Sequence, residues 1–320
     1  MSVPILLRID IDFSFGLKKG VPYILDICEK YGVKGTFFSV MGPDTAASHG
    51  KRVLKKGYIK RIMSMNPLKM LLAFGPLLFL RGNLLPVQYV GKQYPEILKE
   101  IVKEGHELGL HGYNHAKWAD KWQDMDVEEV RTEYDKANYE FKKIFGNECN
   151  LWGAPNWRTT EYLYQYLKER KCIYTSNLRG IEPVFPRYGT NEYTVMELPI
   201  SLPALNELRQ VGISKRKIPK IMTQCLNPNY NHWVIHGYYE GILERKLFEN
   251  TLKALLDAGG YFLTFKQFYD LRGGDIKQCD EIEKIQVPGG FGEISCQKSF
   301  IQNNYFDRLY CLNNTTLIKA

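Results

Sequence analysis

His111-Gly112-Tyr113-Asn114-His115 places two imidazoles four residues apart. In a helix or a tight turn, residues i and i+4 share a face, so both rings can meet one metal ion. Far upstream, the largely apolar run Ile5-Leu6-Leu7-Arg8-Ile9 ends in Asp10-Ile11-Asp12. Alternate residues of a strand face the same side, so Asp10 and Asp12 project together. Two histidines and one carboxylate that leave coordination positions open suit a hydrolytic metal centre rather than a structural one. The second carboxylate is then free to handle a proton. Each piece alone has a plainer reading. Short His-x3-His matches arise by chance, and an Asp pair at a strand end can serve as a cap or turn.

The elements that must deliver these side chains alternate in type. Strand patterns fall at residues 5–13, 34–40, 107–110, 151–152, 172–175, 193–198, 232–236 and 261–264. Helical spacing falls at 20–31, 94–103, 127–145, 159–168, 215–224, 242–258 and 265–271. Such alternation predicts parallel strands joined by crossover helices. About seven such units favour a barrel over an open sheet, and chemistry collects at the C-terminal ends of barrel strands. The candidates lie at or just after the ends of the first strand, the 107–110 strand and the 232–236 strand. Residues 273–320 lack clear periodicity and read as an appendage to a barrel domain at 1–272.

With 320 residues and 44% hydrophobic content, the chain can bury a large core. Its net charge of +8 suits phosphate or an anionic surface. There is no Cys-x2-Cys pair and no glycine-aromatic RNA motif, which argues against an ordered nucleic-acid reader. Seven scattered cysteines predict free thiols in a reducing compartment. No charged and apolar leader precedes the first strand, which predicts the cytoplasm. No apolar run reaches the length of about 18 residues that a spanning helix needs. Lys51, Arg52, Lys55, Lys56, Lys60 and Arg61 precede the apolar run Met70–Leu80. Cations followed by apolar residues suit a helix lying in the headgroup region of an anionic membrane, within an insertion at 45–92. A helical insertion packed on the core is the alternative.

Taken in order, these pieces resemble the polysaccharide deacetylase family, the NodB-type carbohydrate esterases. Asp10-x-Asp12 matches the first motif of that family. Gly105-His106-Glu107-Leu108-Gly109-Leu110-His111-x3-His115 matches the second, Ala154-Pro155-Asn156-Trp157 resembles the third, and Val234-Ile235-His236 resembles the fifth. The resemblance implies a distorted (β/α)7 barrel of the NodB type with a helical amphipathic insertion. It runs from about residue 5 to 298 and narrows to the ArnD-like and NaxD-like branch, which deacylates amino sugars on undecaprenyl phosphate. Leu7-Arg8-Ile9-Asp10, Phe37–Asp44, Ser176-Asn177-x-Arg179-Gly180, Pro199–Pro203 and Gly292-Glu293-x2-Cys296-Gln297 are among the segments similar to that branch.

By that resemblance, Asp12, His111 and His115 would hold a divalent metal, Asp10 would be the general base and His236 the general acid. Amide hydrolysis needs an activated water, a stabilised oxyanion and a protonated amine leaving group. A histidine, with a reference pKa of about 6.5, suits the last task. Zinc or manganese would fit the ligand set, and cobalt or nickel stays open. The implied partner is an undecaprenyl-phosphate-linked amino sugar met at an anionic membrane surface. That places the enzyme peripherally on the cytoplasmic face of the inner membrane, with its oligomeric state open. The acyl group would be acetyl on a hexosamine or formyl on an aminoarabinose, and the general form of the third motif favours acetyl. A soluble oligosaccharide deacetylase and an inactive carbohydrate-binding scaffold are the alternatives.

Other residues are candidates on weaker grounds. Arg158 and Arg179 could pair with Asp10 or a substrate phosphate, or form surface ion pairs. Asn156 and Trp157 could wall the site, or Trp157 could be barrel core. Glu240, four residues after His236, could orient that ring, bind sugar hydroxyls, or start a helix. Two departures from the family pattern stand out. Gly153 occupies the place where many members carry an Arg, with Arg158 as the candidate replacement. Asn177 stands at the place of the fourth-motif Asp that partners the acid histidine, so Glu240 or another acid is expected to supply the missing charge.

Overall fold

A computed structural model of the chain describes residues 2–45, 87–287 and 292–303. In chain order the main elements are β1 (Val3–Ile11), α1 (Val21–Tyr31), β2 (Thr36–Ser39), α2 (Pro95–Lys103), β3 (Glu107–Leu110), α3 (His115–Lys121), α4 (Val127–Phe145) and α5 (Glu161–Glu169). There follow β4 (Tyr174–Thr175), β5 (Phe185–Tyr188), β6 (Asn191–Glu192), β7 (Met196–Glu197), α6 (Leu205–Gln210), α7 (Ile218–Gln224) and β8 (His232–His236). The chain continues through α8 (Arg245–Asp257), β9 (Gly260–Leu263), α9 (Phe265–Arg272), β10 (Cys279–Val287), β11 (Gly292–Gln297) and α10 (Lys298–Gln302).

β1 is buried along nearly its whole length because it has neighbours on both edges. Its second half pairs in parallel with β2, with Asp10 opposite Phe38. Its other edge pairs in parallel with β8, with Asp10 opposite His236. β9 takes the first half of β1, and β3 lies beyond β2. Past β3 the ring continues through short segments held by a few bonds each. Leu110 donates to Leu151 and accepts from Gly153, both at 2.9 Å. Ser176 donates to Trp152 at 3.1 Å and Leu198 to Thr175 at 2.8 Å. Ser201 and Leu202 then donate to the carbonyl of His232 at 3.2 and 3.0 Å, which returns the ring to β8. The result is a parallel, distorted barrel of the expected kind, with helices outside it.

The stretch after residue 272, expected as an appendage, contributes an antiparallel hairpin of β10 and β11. β10 pairs with β5, giving a second sheet in the order β11-β10-β5-β6. Arg179 donates to Ser295 at 3.1 Å and accepts from Gln297 at 3.0 Å, so the hairpin is sewn onto the barrel rim. Of the 45–92 insertion, only its two ends are described, and the cation-rich amphipathic segment lies outside the described residues. No described helix is long and apolar enough to cross a membrane.

Candidate active site

Asp10 is the penultimate residue of β1 and Asp12 immediately follows it, so the strand's alternation sends both into the barrel mouth. His111 follows the last residue of β3 in the same way. The chain then turns through Gly112 at φ +83°, a conformation that costs a side chain but not glycine. Asn114 caps α3 by accepting from the amide of Lys117 at 2.9 Å, and His115 is the first helical residue. The two imidazoles therefore meet across a tight turn rather than along one helix face.

One ligand atom from each of Asp12, His111 and His115 lies within 4.8 Å of the others. Asp12 Oδ1 stands 3.3 Å from His111 Nε2 and 3.6 Å from His115 Nε2. The donor set fits a divalent cation on three counts. His111 Nδ1 is 2.7 Å from the carbonyl of Gly153, which fixes the proton there and leaves Nε2 as an acceptor. Asp12 Oδ1 is buried and receives no hydrogen bond from a described protein group. Burial would raise the Asp12 pKa, but His115, His111 and His236 outweigh it and hold the carboxyl well below the usual carboxylate range.

Asp10, Asp12, His111, His115, Asn156, Trp157, Asn206 and His236 line one narrow pocket. Asp10 is gripped by Arg8, two residues earlier on the same strand face. Arg8 Nε donates to Oδ1 at 2.6 Å and Nη2 to Oδ2 at 2.9 Å. The guanidinium also donates to the carbonyls of Ser176 at 2.6 Å and Ala154 at 3.2 Å, and it lies 4.8 Å from the Phe38 ring centre. Arg158 is not the replacement for the family arginine. Its Nε donates to the carbonyl of Glu293 at 3.0 Å and its Nη1 to that of Ala119. Gly153 explains the change: a Cβ there would sit 2.7 Å from Phe38, the ring that supports Arg8. The cation reaches Asp10 from within β1 because Phe38 occupies the space beside residue 153.

Arg179 does not reach Asp10 either. It is fully buried, holds both oxygens of Glu207 at 3.0 and 2.9 Å, and lies 5.0 Å from the Trp157 ring centre. It thus supports the pocket wall from behind. Asn156 and Trp157 carry φ of 55° and 54°, left-handed values that ordinary residues avoid and that cluster at functional sites. Asn177 is turned away from any partnership with His236. It accepts from the amide of Ala154 at 3.0 Å and donates to Glu197 at 3.1 Å. Glu197 also receives the amide of Asn177 at 2.5 Å and the hydroxyl of Tyr164 at 2.7 Å. Burial pushes its pKa up to about 8 against those donors. This buried acid braces the Gly153-Ala154 turn whose carbonyls hold His111 and Arg8.

His236 ends β8 opposite Asp10. Its Nδ1 stands 3.6 Å from Glu240 Oε2, an ion-pair separation too long for a hydrogen bond. The same oxygen accepts from the His236 amide at 2.7 Å. Burial lowers the His236 pKa, but Glu240 above all, then Asp12 and Asp10, outweigh it and push it up to about 9. The other described histidines have no such role. Burial, with the charge of Lys34, holds His106 down at about 4, and burial drives His232 well below its ordinary value. Sequence reasoning missed Arg8, Asn206 and Glu197. Strand alternation from Asp10 would have found Arg8; nothing local marked the other two.

A barrel-mouth candidate metal site of two histidines and an aspartate, with a second aspartate and a histidine facing it, is the arrangement of a class of hydrolase. The family model described as polysaccharide deacetylase matches residues 8–174, more than half of the chain, and the protein belongs to that family. It is therefore a metal-dependent hydrolase of N-acyl groups on carbohydrates. The chain is 28% identical over 297 residues to the "Probable 4-deoxy-4-formamido-L-arabinose-phosphoundecaprenol deformylase ArnD" of Shewanella sediminis, covering 92% of this chain and 95% of that protein. It is 26% identical to the protein of the same name from Wigglesworthia glossinidia brevipalpis, covering 90% of this chain and 100% of that one. Among solved structures, the peptidoglycan deacetylase PdaC of Bacillus subtilis superposes with a TM-score of 0.51 at 16% identity, over 86% of this chain and 93% of that one. A family 4 acetyl xylan esterase from Clostridium thermocellum gives 0.50 at 15% identity, over 84% and 92%. These likenesses support the barrel fold.

Proposed function

We propose that the protein removes the N-acyl group of an amino sugar linked to undecaprenyl phosphate, for modification of lipid A, working at the cytoplasmic face of the inner membrane. The observation that carries the reading is the convergence of Asp10, Asp12, His111, His115 and His236 in one pocket. A divalent ion, zinc or manganese with cobalt or nickel also compatible, would supply Lewis-acid polarisation and an activated water when held by Asp12, His111 and His115. Asp10, oriented by Arg8, takes the proton of the attacking water. His236, kept protonated by Glu240, gives its proton to the departing amine. Asn156 and Trp157 wall the sugar side of the pocket.

The names of the two relatives make formyl on 4-amino-arabinose the first acyl group to test, ahead of the acetyl that the third motif suggested. A prenyl chain stays in the bilayer, so the enzyme must come to it, and the cationic and apolar insertion supports that meeting. The test is mass spectrometry of formylated and acetylated prenyl-phosphate sugars incubated with the metal-loaded protein. Loss of the mass of formyl or acetyl establishes the reaction and its substrate. Intact lipid-linked sugars alongside turnover of free oligosaccharides would move the assignment to a soluble deacetylase.

A further inference from the structure

Asn206 lines the catalytic pocket although it belongs to no motif. It lies in the first turn of α6, just past the 196–202 segment of the barrel, and so at the end of the barrel where Asp10 and His236 emerge. Its side chain is 2% exposed, and its Oδ1 is buried with no described protein group donating to it. Three pocket-lining side chains carry such an orphaned atom: Asp12, Asn206 and His236. The first two cases differ in kind from one another. Asp12 Oδ1 faces two imidazoles with which it could hold a cation, whereas Asn206 is neutral and a poor metal competitor beside a carboxylate. His236 Nδ1 has Glu240 beside it. Of the three, the Asn206 oxygen is the one with no account among the described residues.

The turn that carries Asn206 is held firmly. Glu207, its neighbour, caps the helix by accepting from the amide of Ala204 at 2.8 Å. The same carboxylate is clamped by the buried guanidinium of Arg179, which also lies against Trp157. The pocket wall and the Asn206 turn are therefore fixed by one cation. A buried acceptor on a rigid element, unpaired among the described residues, is a preorganised contact for a donor that arrives with the ligand.

We propose that Asn206 is a substrate-positioning residue whose Oδ1 accepts a hydrogen bond from an N–H or O–H of the amino sugar. The donor is either the N–H of the amide that is cleaved or a ring hydroxyl beside it. In both cases the contact would hold the sugar so that the acyl carbon faces the metal site. The inference rests on the amino-sugar reading above and adds a residue to it.

The test is calorimetric binding of a 4-formamido-pentose phosphate, and of its N-methylated analogue, to the metal-loaded full-length protein. Asn206→Leu should weaken binding of the parent sugar at least tenfold, with metal affinity unchanged. Asn206→Asp keeps an acceptor and should bind within a few-fold of the wild type, which separates a lost contact from a lost fold. If the amide N–H is the donor, the wild type will bind the N-methylated analogue as weakly as Asn206→Leu binds the parent. If a hydroxyl is the donor, Asn206→Leu will weaken both ligands alike. Equal binding by the wild type and Asn206→Leu would mean that the oxygen holds only an ordered water, and would overturn the proposal; so would no binding by the wild type. Failure of the deacylation reading shows separately, as unchanged mass of the lipid-linked sugar with the wild type.

Discussion

Glu240 illustrates how one residue can be read for its charge but not for its reach. The sequence showed an acid four residues after His236, and the missing fourth-motif aspartate made it the expected counter-charge. In the structure Glu240 is fully buried and binds the His236 backbone, with its charge 3.6 Å from Nδ1. The pH consequence has a definite sign. A general acid must be protonated, so activity falls as pH rises through the His236 pKa. Glu240 raises that pKa, while a cation bound at Asp12 opposes the rise. Glu240→Gln should therefore move the alkaline limb of the kcat/KM profile to lower pH, by about one unit for the loss of one nearby charge. An alkaline limb that stays in place would remove Glu240 from this role.

β1 is the element that organises the chemistry. Its alternation puts Arg8, Asp10 and Asp12 on one face, so one strand and the residue after it would supply the proposed general base, a proposed metal ligand and the cation that grips the base. The strand was legible as an apolar run ending in acids, and α4 as an amphipathic run closed by Gly146. Arg8 was passed over because it sits inside an apolar run, and partners for Asp10 were sought downstream at Arg158 and Arg179. Sequence spacing cannot show that Phe38 fills the space beside Gly153, so the relocation of the arginine was invisible until the strands were paired. The consequence is testable in the strand itself. Lysine at position 8 keeps the charge but cannot fork onto both oxygens of Asp10 while bonding Ser176 and Ala154. Arg8→Lys should lower kcat about a hundredfold through misplacement of Asp10, with little change in metal affinity. A kcat near that of the wild type, measured at saturating metal, would show that Asp10 needs no such grip.

At the scale of the whole molecule, the wall of the candidate pocket packs against the C-terminal hairpin. The β10 strand was illegible because Asp280, Glu281, Glu283 and Lys284 crowd it, and acids and lysine are poor strand formers. Its partner β11 nevertheless packs Ile294 into a small apolar cluster with Trp157, Ile200, Ala204 and Val234. The amide of Thr159 reaches Ser295 Oγ at 3.1 Å, and Arg158 reaches the carbonyl of Glu293, so the loop carrying Asn156 and Trp157 is backed by the hairpin on several points. Removing residues 273–320 would strip that backing and expose Ile200, Ala204 and Val234. Each buried isoleucine or phenylalanine lost with residues 273–320, Ile282 and Ile294 of the hairpin and Phe300 of α10 among them, is worth about 1.5–3 kcal/mol. The left-handed Asn156-Trp157 turn is held in a strained backbone conformation and packs on the hairpin through Trp157, so it should relax first. The candidate metal ligands stand at the ends of β1 and β3 and at the start of α3, which do not touch the hairpin through any of these bonds. Truncation should therefore lower the unfolding midpoint and reduce turnover at least tenfold, while metal binding persists in whatever fraction stays folded. Calorimetry of unfolding, metal titration and turnover on the same truncated protein separate these effects. If the truncated chain keeps both the midpoint and the turnover of the full chain, the hairpin is an appendage after all, and the support for Trp157 must come from Arg179 alone.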